Sequence, residues 1–471
     1  MTSDHIYIQR SSEFESRLDG GYRGKTDADT SGSIAEYDSD SDFEQEANSD
    51  PQFEIKYEFE TLDQLFPDRV PDPILDLIEL SVATMGVDRF IKRTVVAGED
   101  VPDADARLNT RSLVVRFPVL SPTFAIADVE DLVSTLVSHM TRDIIEFELL
   151  AHPSSEVTTT QETLVEPEPI DVVSLFSDGL DSAGGVYQNR TDDVISRYVS
   201  LRYGSGLGNV HKTAISELDI DPIEIGIEYS GKSNEFTNFS RGFLHWAFAA
   251  AVAVAVEAEE VRSFETGVMA RFALLSEAWQ TTRTVSPIAV GLFNELIAEA
   301  TDYDIQVTNP FLEKTKTEVV NQIENETVVG NAVSCPHYGH QRQFDLHNCG
   351  QCVPCIVRNI AILDSKHIMS PAELSICDWI DVDFDAKVLP EKQPVILEGR
   401  NDADTFFLAL NEIAYLSRSL RQRDPVDVVT EYPKLASPEV YGLYRRFANE
   451  FHHCIDSLVS ENSTAATLFE L

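Results

Sequence analysis

The apolar positions of the chain predict a buried strand that runs into a helix near residue 180. Residues 172–176 form a short, nearly continuous hydrophobic run, which is typical of a parallel strand covered on both faces. After a Ser-Asp-Gly turn, apolar residues recur at a spacing of three from Leu180 to Val186, so a helix is expected to begin near Asp181. The N-terminus of such a helix directs backbone N–H groups and a positive dipole end at any anion in the turn.

Comparable patterns predict further elements on both sides of this strand. Four elements precede it, a helix, a strand, a helix and a strand, at residues 77–89, 111–119, 131–142 and 144–150. From 169 to 364, strands and helices alternate, which predicts an α/β fold with a doubly wound parallel sheet and ligands at the carboxyl ends of its strands. After residue 371, apolar spacings of three and four predict helices at 402–420 and 438–459.

The length of 471 residues allows two or three domains. Residues 26–50 contain no Lys or Arg and are dominated by Asp, Ser and Glu, which predicts disorder. We expect five regions in chain order: an acidic disordered extension (1–50), an α+β accessory domain (51–154), a linker (155–168), the α/β core (169–364) and a mostly helical C-terminal region (365–471).

Charge narrows the possible partners and the compartment. The chain has 80 Asp and Glu against 36 Lys and Arg, a formal net charge of −44. Such an excess is typical of proteins from salt-accumulating halophiles, in which salt screens the repulsion between surface carboxylates. It argues against duplex nucleic acid as a partner, since binding to phosphates needs a basic face. No apolar run reaches eighteen residues, so we expect no membrane span and a cytoplasmic protein.

The turn after the strand at 172–176 is the candidate phosphate-binding loop. Its six residues are Ser177, Asp178, Gly179, Leu180, Asp181 and Ser182. The pattern differs from the Walker A loop, which requires G-x-x-x-x-G-K-[ST]. It resembles the SGGxDS pyrophosphatase loop of ATP-dependent adenylating enzymes, which implies cleavage of ATP between the α and β phosphates. A plain capping turn uses the same residue types and stays an alternative.

Asp178 departs from the SGGxDS pattern, because it occupies a position where that loop usually has glycine. Its carboxylate is expected close to the bound phosphates. Either it points outward, or it contributes to a Mg²⁺ shell, or it weakens the loop.

Four cysteines form a second, independent motif. Cys335, Cys349, Cys352 and Cys355 follow the spacing C-x13-C-x2-C-x2-C. Two C-x2-C turns bring thiolates to one tetrahedral ion, and Zn²⁺ prefers such ligands, so we expect a structural zinc site. Disulfides are the less favoured alternative, and histidines between the first two cysteines can replace a ligand, although four thiols already complete the site.

Together, the loop and the cysteines resemble the 7-cyano-7-deazaguanine synthase (QueC) family. Intermediate segments with a weaker resemblance lie in the same order, at 198–204, 241–256, 265–267 and 309–318. The resemblance therefore covers 171–363 and implies a PP-loop core similar to the adenine nucleotide alpha hydrolases. The helix and strand at 77–89 and 111–119 resemble the N-terminal region of QueC-like proteins from the Qat anti-phage system, although any small α+β domain shows similar elements.

The resemblance also implies cofactors and roles. ATP and Mg²⁺ would act at the loop, where Lys316 would neutralise charge on the transferring group and Arg241 would contact nucleotide or substrate. The substrate would be a 7-deazaguanine, 7-carboxy-7-deazaguanine, whose adenylated carboxyl is attacked by an amine on a protein partner encoded nearby or by ammonia. For the two residues, the alternatives are a solvated Lys316 and an ion-paired Arg241. For the protein, the alternatives are a housekeeping synthase, a different adenylating pyrophosphatase and a non-catalytic nucleotide-binding subunit.

Overall fold

A computed structural model describes most of the chain, including long segments on both sides of the predicted loop. The described residues are 4–10, 20–26, 53–66, 69–91, 110–151, 169–203, 208–231, 239–271, 283–335, 348, 352–367 and 402–458.

The described strands join into one ten-stranded sheet with the order β10-β9-β6-β7-β8-β3-β2-β1-β4-β5. The strands are β1 (Asp4–Arg10), β2 (Gly20–Thr26), β3 (Phe53–Tyr57), β4 (Ser112–Val119), β5 (Ile144–Ala151), β6 (Val172–Leu175), β7 (Ser196–Tyr203), β8 (Ile223–Gly231), β9 (Glu260–Arg262) and β10 (Gln306–Thr308).

Helices connect the strands and pack on this sheet. In the N-terminal and central parts of the chain they are α1 (Phe59–Asp63), α2 (Asp72–Phe90), α3 (Ala127–Thr141), α4 (Leu180–Thr191), α5 (Gly208–Leu218), α6 (Arg241–Ala255), α7 (Gly267–Arg271) and α8 (Pro287–Ala300). They continue with α9 (Lys316–Val320), α10 (Glu326–Asn331), α11 (Val353–Leu363), α12 (Asp402–Gln422), α13 (Pro425–Glu431) and α14 (Pro438–Leu458), and a 3₁₀ turn at Pro433–Leu435 precedes α14. Among all the helices that the structure describes, none is long and apolar enough to cross a membrane.

The half of the sheet from β10 to β8 is entirely parallel, as the alternating pattern predicted. Its strands run in the order 5-4-1-2-3 when counted from β6, so the direction of winding reverses between β6 and β9. In such sheets, ligands bind outside the carboxyl ends of the strands at this switch point. The predicted loop follows β6 and lies at this position.

Two hydrophobic cores lie on the two faces of the parallel half. Val173 and Val199 face the first core, which α2, α3, α6 and α8 complete. Phe176 and Tyr198 face the second, which contains α4, α11, α12 and α14. The C-terminal helices therefore share a core with the helix that follows the phosphate loop.

The N-terminal region extends the same sheet, although we expected a separate accessory domain there. Strand β3 pairs antiparallel with β8, with Ile55 opposite Tyr229, and β2 and β1 continue the ladder to β4 and β5. Within residues 1–50, for which we predicted disorder, β1 and β2 are strands of this sheet. Short runs such as His5-Ile6-Tyr7-Ile8 alternate in polarity, and their backbone groups pair with the neighbouring strands.

The local elements predicted around these strands are confirmed. The helix and strand at 77–89 and 111–119 are α2 and β4, and the pair that follows is α3 and β5. The helix expected near Asp181 is α4, and the two C-terminal helices are α12 and α14.

A buried ion network joins α2, β4 and β5. Arg111 donates from its backbone N and Nε to Asp143, at 2.8 and 2.9 Å. Its Nη1 donates to the carbonyl of Ile91 at 2.6 Å, and Asp88 lies 3.5 Å from Nη2. Asp88 in turn accepts from the backbone N of Ser240 at 3.0 Å, next to the start of α6. Asp88 and Arg111, in the helix and the strand at 77–89 and 111–119, thus form a structural anchor.

The Arg111→Met variant tests this anchor. Removing the cation takes a counter-charge away from the buried carboxylates of Asp88 and Asp143, so we expect the free energy of unfolding to fall by about 3–5 kcal/mol. Arg69→Met is the control, because Arg69 pairs with Asp72 at the surface and such pairs contribute about 1 kcal/mol or less. Urea unfolding of both variants measures the difference, and equal midpoints would contradict the anchor.

Candidate functional site

The six predicted loop residues lie together between β6 and the first turn of α4. Gly179 is the N-cap of α4 and has extended backbone angles. The hydroxyls of Ser177 and Ser182 lie 2.9 Å apart, and the backbone N of Gly179 is 3.4 Å from Ser177 Oγ. Ser177 is exposed, whereas Asp181 and Ser182 are buried. The loop therefore presents hydroxyls and helix N-terminal amides on one side, an arrangement suited to an anion.

Two consecutive glycines of α4 allow the rest of the site to approach. A Cβ at Gly184 would lie 2.4 Å from Val319 of α9, and one at Gly185 would lie 2.5 Å from the ring of Phe264, which follows β9. Both distances are far below van der Waals contact. The glycines thus bring α9 and the end of β9 against the helix that carries the loop.

Asp178 points into the protein and away from the exposed face of the loop. Its Oδ1 lies 2.6 Å from Nδ1 of His211 in α5, and Nε2 of the same ring is 3.0 Å from Glu224 of β8. Burial lowers the pKa of His211, but the hydrogen bond and charge of Asp178, together with Glu224, raise it overall above its ordinary 6.5. The extra carboxylate in the loop therefore lies against a histidine whose protonated form it favours, a partner that the sequence did not indicate.

Lys316 is buried and bound to the loop. Its Nζ donates to Oδ2 of Asp181 at 2.7 Å, and the two side chains are 9% and 12% exposed. Burial lowers the pKa of Lys316, but the charges of Asp181 and Glu265 raise it overall. The alternative of a solvated helix-start lysine is therefore wrong, and a buried positive charge lies at the predicted loop.

Glu265 is a site residue for which the sequence suggested no role. It follows β9 and faces Asp181 across the switch point. Burial and the charge of Asp181 raise its pKa to about 8, against the opposing effect of Lys316, and a hydrogen bond between the two carboxyl groups adds to the rise. Two carboxyl groups and one ammonium thus share a small volume. Such a pair is suited to a hard divalent cation, because Mg²⁺ prefers carboxylate oxygens.

Arg241 begins α6 on the other side of Glu265. It is exposed, and its charge lowers the pKa of Glu265 and of His245. Burial is the larger effect on His245 and brings its pKa to about 3, so the ring is neutral at pH 7. The hydroxyl of Tyr203 lies 2.9 Å from Nε2 of His245, and the two rings stack at 6.0 Å.

The rings continue away from Arg241. Tyr229 at the end of β8 lies 6.3 Å from Tyr203, and the guanidinium of Arg89 covers Tyr229 at 3.9 Å from the ring centre. Arg89 belongs to α2 of the N-terminal region. A wall of aromatic rings with a cation at each end therefore lies along the carboxyl ends of β7 and β8.

Three of the four predicted metal ligands meet. The Sγ atoms of Cys335, Cys352 and Cys355 lie within 4.8 Å of one another, whereas Cys349 is outside the described residues. Cys352 is the N-cap of α11 and Cys355 lies in its first turn, as a C-x2-C turn requires. The separations suit thiolates around one Zn²⁺.

A buried cation accompanies the thiols. Arg358 of α11 is 1% exposed, and burial lowers its pKa to about 10 against the raising effect of Cys355 and Cys335. A guanidinium beside the sulfur atoms favours their thiolate forms, which are the forms that bind metal.

The cysteine site also contacts the phosphate loop. The backbone N of Val333 donates to the carbonyl of Asp178 at 2.8 Å, two residues before Cys335. Asn348, next to Cys349, accepts from the backbone N of Ser334 at 2.9 Å. A metal held by the cysteines would thus fix the segment on which the loop rests.

Comparison with known families matches the second half of this site. Residues 285–366 match the family model of QueC, described as queuosine biosynthesis protein QueC. The matched segment is under a fifth of the chain and contains Lys316 and all four predicted zinc ligands, whereas the phosphate loop and Arg241 lie outside it. No curated protein matches the chain. The match supports a QueC-like family and indicates an ATP-dependent synthase or ligase type of enzyme.

Metal analysis tests the cysteine site. We expect about one zinc per chain in the purified protein, and loss of that zinc in Cys352→Ser together with a lower melting temperature, because metal binding stabilises the fold that forms its site. Cys454→Ser is the matched control, since Cys454 is buried in α14. Wild-type protein without zinc, or full zinc in Cys352→Ser, would contradict the site.

Proposed function

We propose that the chain is a QueC-like adenylating enzyme that activates the carboxyl group of a 7-deazaguanine, 7-carboxy-7-deazaguanine, for attack by an amine. The observation that carries the proposal is the convergence of Lys316 and Glu265 on Asp181 of the loop at the switch point. A phosphate loop alone is common, but here a buried ammonium and a pair of carboxyl groups flank it.

ATP would bind with its β and γ phosphates on the loop. The N-terminal amides of α4 and the hydroxyls of Ser177 and Ser182 would donate to phosphate oxygens. Asp181 and Glu265 would hold Mg²⁺, which supplies positive charge to the phosphate oxygens when bound. Loss of the Glu265 proton would accompany metal binding, because a divalent cation would lower the pKa that burial, and then the charge of Asp181, raise.

The reaction would form and break one bond at the α phosphorus. A carboxylate oxygen of the substrate attacks this phosphorus, the bond to the bridging oxygen of the β phosphate breaks, and pyrophosphate leaves with the electron pair. Lys316 would neutralise part of the charge that develops on the leaving group. An amine nitrogen then attacks the acyl carbon, AMP leaves, and the nitrogen loses a proton.

The wall beyond Arg241 supports a planar anionic substrate. The rings of Tyr203 and Tyr229 would give a planar ligand flat surroundings, and the imidazole of His245, whose Nε2 lies 2.9 Å from the Tyr203 hydroxyl, adds no charge there. Arg241 would bind the substrate carboxylate and orient it toward the α phosphorus. A deazaguanine carboxylate has this combination of a flat ring system and a negative group.

A protein amine as acceptor, in a Qat-type anti-phage role with a partner encoded nearby, is the finer part of the proposal. It is supported by the large regions outside the QueC match, which join the core through the shared sheet and the second hydrophobic core. A small-molecule synthase needs neither region. With ammonia as acceptor and efficient release of the nitrile, the housekeeping reaction would be the better description.

ATP–pyrophosphate exchange tests the activity. In molar KCl with Mg²⁺ and 7-carboxy-7-deazaguanine, we expect exchange that Lys316→Ala lowers about 100-fold, because the variant lacks the cation at the leaving group. Lys314→Ala is the matched control, because Lys314 lies on the same segment as Lys316 but donates to Gln188 of α4. Intact ATP binding without exchange would instead identify a non-catalytic nucleotide-binding subunit.

The Asp178–His211 pair predicts a pH dependence. Because the pKa of His211 is raised, the ring is protonated at low pH and loses its charge as the pH rises through a value above 6.5. The charge of Asp178 then repels the phosphates, so the KM for ATP is expected to rise about tenfold, equivalent to about 1.4 kcal/mol.

Two variants separate this effect from others. His211→Gln is expected to have a high KM for ATP at every pH, and Asp178→Asn a low KM with a flat profile. If the profile of Asp178→Asn matched that of the wild type, the pair would not be its source.

A further inference from the structure

The last helix of the chain, α14, contacts both segments that bring charged groups to the phosphate loop. The hydroxyl of Tyr444 donates to the carbonyl of Val268 at 2.9 Å, three residues after Glu265. On the other segment, Arg446 donates to the carbonyl of Glu313 at 2.7 Å and pairs with Glu318 at 2.8 Å. Residues on both sides of Lys316 are therefore attached to α14.

Glu450, one turn further along α14, reaches the residue next to Lys316. It is 8% exposed and accepts a hydrogen bond from the hydroxyl of Thr315, which is fully buried. Thr315 is the N-cap of α9 and forms a capping box with Glu318, in which Thr315 Oγ1 accepts from the backbone N of Glu318. Because that oxygen already accepts from an N–H, its single proton is directed at Glu450.

This chain of contacts fixes the first turn of α9. Thr315 is held by Glu450 on one side and by the capping box on the other, and Lys316 is the next residue. The same turn packs on α4, where Lys316 reaches Asp181. A shift of Thr315 would move the ammonium relative to the loop.

We propose that Glu450 is a positioning residue that places Lys316 at the phosphate loop, so that the C-terminal helix is part of the active site. The role of Lys316 in adenylation rests on the proposed function, whereas its placement by Glu450 does not. The C-terminal region, which lies outside the QueC match, then has a defined task. A small misplacement of a catalytic group is costly, since about 1 Å lowers a rate about 100-fold.

Two substitutions of Glu450 differ in what they keep. Glu450→Leu leaves the proton of the buried Thr315 hydroxyl without an acceptor, although Thr315 Oγ1 still accepts from Glu318. Glu450→Gln keeps an acceptor oxygen at the same reach. Asn449→Leu is the matched control, because Asn449 is exposed on the neighbouring position of α14. Zinc content and melting temperature show whether each variant folds.

Hydrogen–deuterium exchange measures placement without any enzyme activity. We expect Glu450→Leu to speed exchange at residues 313–320, and Glu450→Gln and Asn449→Leu to leave it close to wild type. Unchanged exchange in folded Glu450→Leu would overturn the proposal. If Glu450→Leu does not fold, the same comparison of Glu450→Gln with Glu450→Ala decides, because Glu450→Ala removes the same acceptor and leaves the capping box of Thr315 and Glu318 in place.

Pyrophosphate exchange kinetics measure the consequence. We expect Glu450→Leu to lower kcat about 10- to 100-fold with little change in the KM for ATP, and Glu450→Gln to recover most of it. In a Lys316→Ala background, Glu450→Leu should add little further loss, since both changes act on one group. An independent, additive loss would overturn the positioning role, whereas an inactive wild type with the expected deuterium exchange would reject only the proposed function.

Discussion

The buried ion pair between Lys316 and Asp181 is the interaction on which the rest of the site depends. Burying two charges is costly unless each is paired and further contacts support them. Glycines in α4 let α9 approach closely enough for the pair, and the raised pKa of Glu265 favours its neutral form, which limits the negative charge beside the pair. The capping box at Thr315 fixes the start of α9. Each feature is explained by the need to hold one ammonium at the loop.

The sheet connects this site to the rest of the chain. Its order places β6 at the switch point, and the antiparallel β3 joins the N-terminal strands to the same sheet. Arg89 from that region covers Tyr229, and the C-terminal helices share the core beneath α4. Both flanking regions therefore contact the surroundings of the site. These contacts give the flanking regions a structural role beside the α/β core.

Local patterns in the sequence were sufficient for the loop, the helix after it and the cysteine cluster. An apolar run that ends in Ser-Asp-Gly determines where β6 stops, and C-x2-C spacing determines where two sulfurs meet. Glu265 and His211 could not be predicted, because their pKa values depend on carboxylates that are distant in sequence and meet only across the sheet. The pairing of β3 with β8 is equally non-local, and the acidic composition of residues 1–50 concealed the short strands β1 and β2.

A crystal structure with a non-cleavable α,β-methylene analogue of ATP and Mg²⁺ tests the central claim most directly. The account predicts the β and γ phosphates on the amides of residues 179–182, with the metal between Asp181 and Glu265 and the Lys316 ammonium beside the bridging position. A nucleotide bound elsewhere, or phosphates at the loop with the Lys316 ammonium out of contact with them, would contradict it.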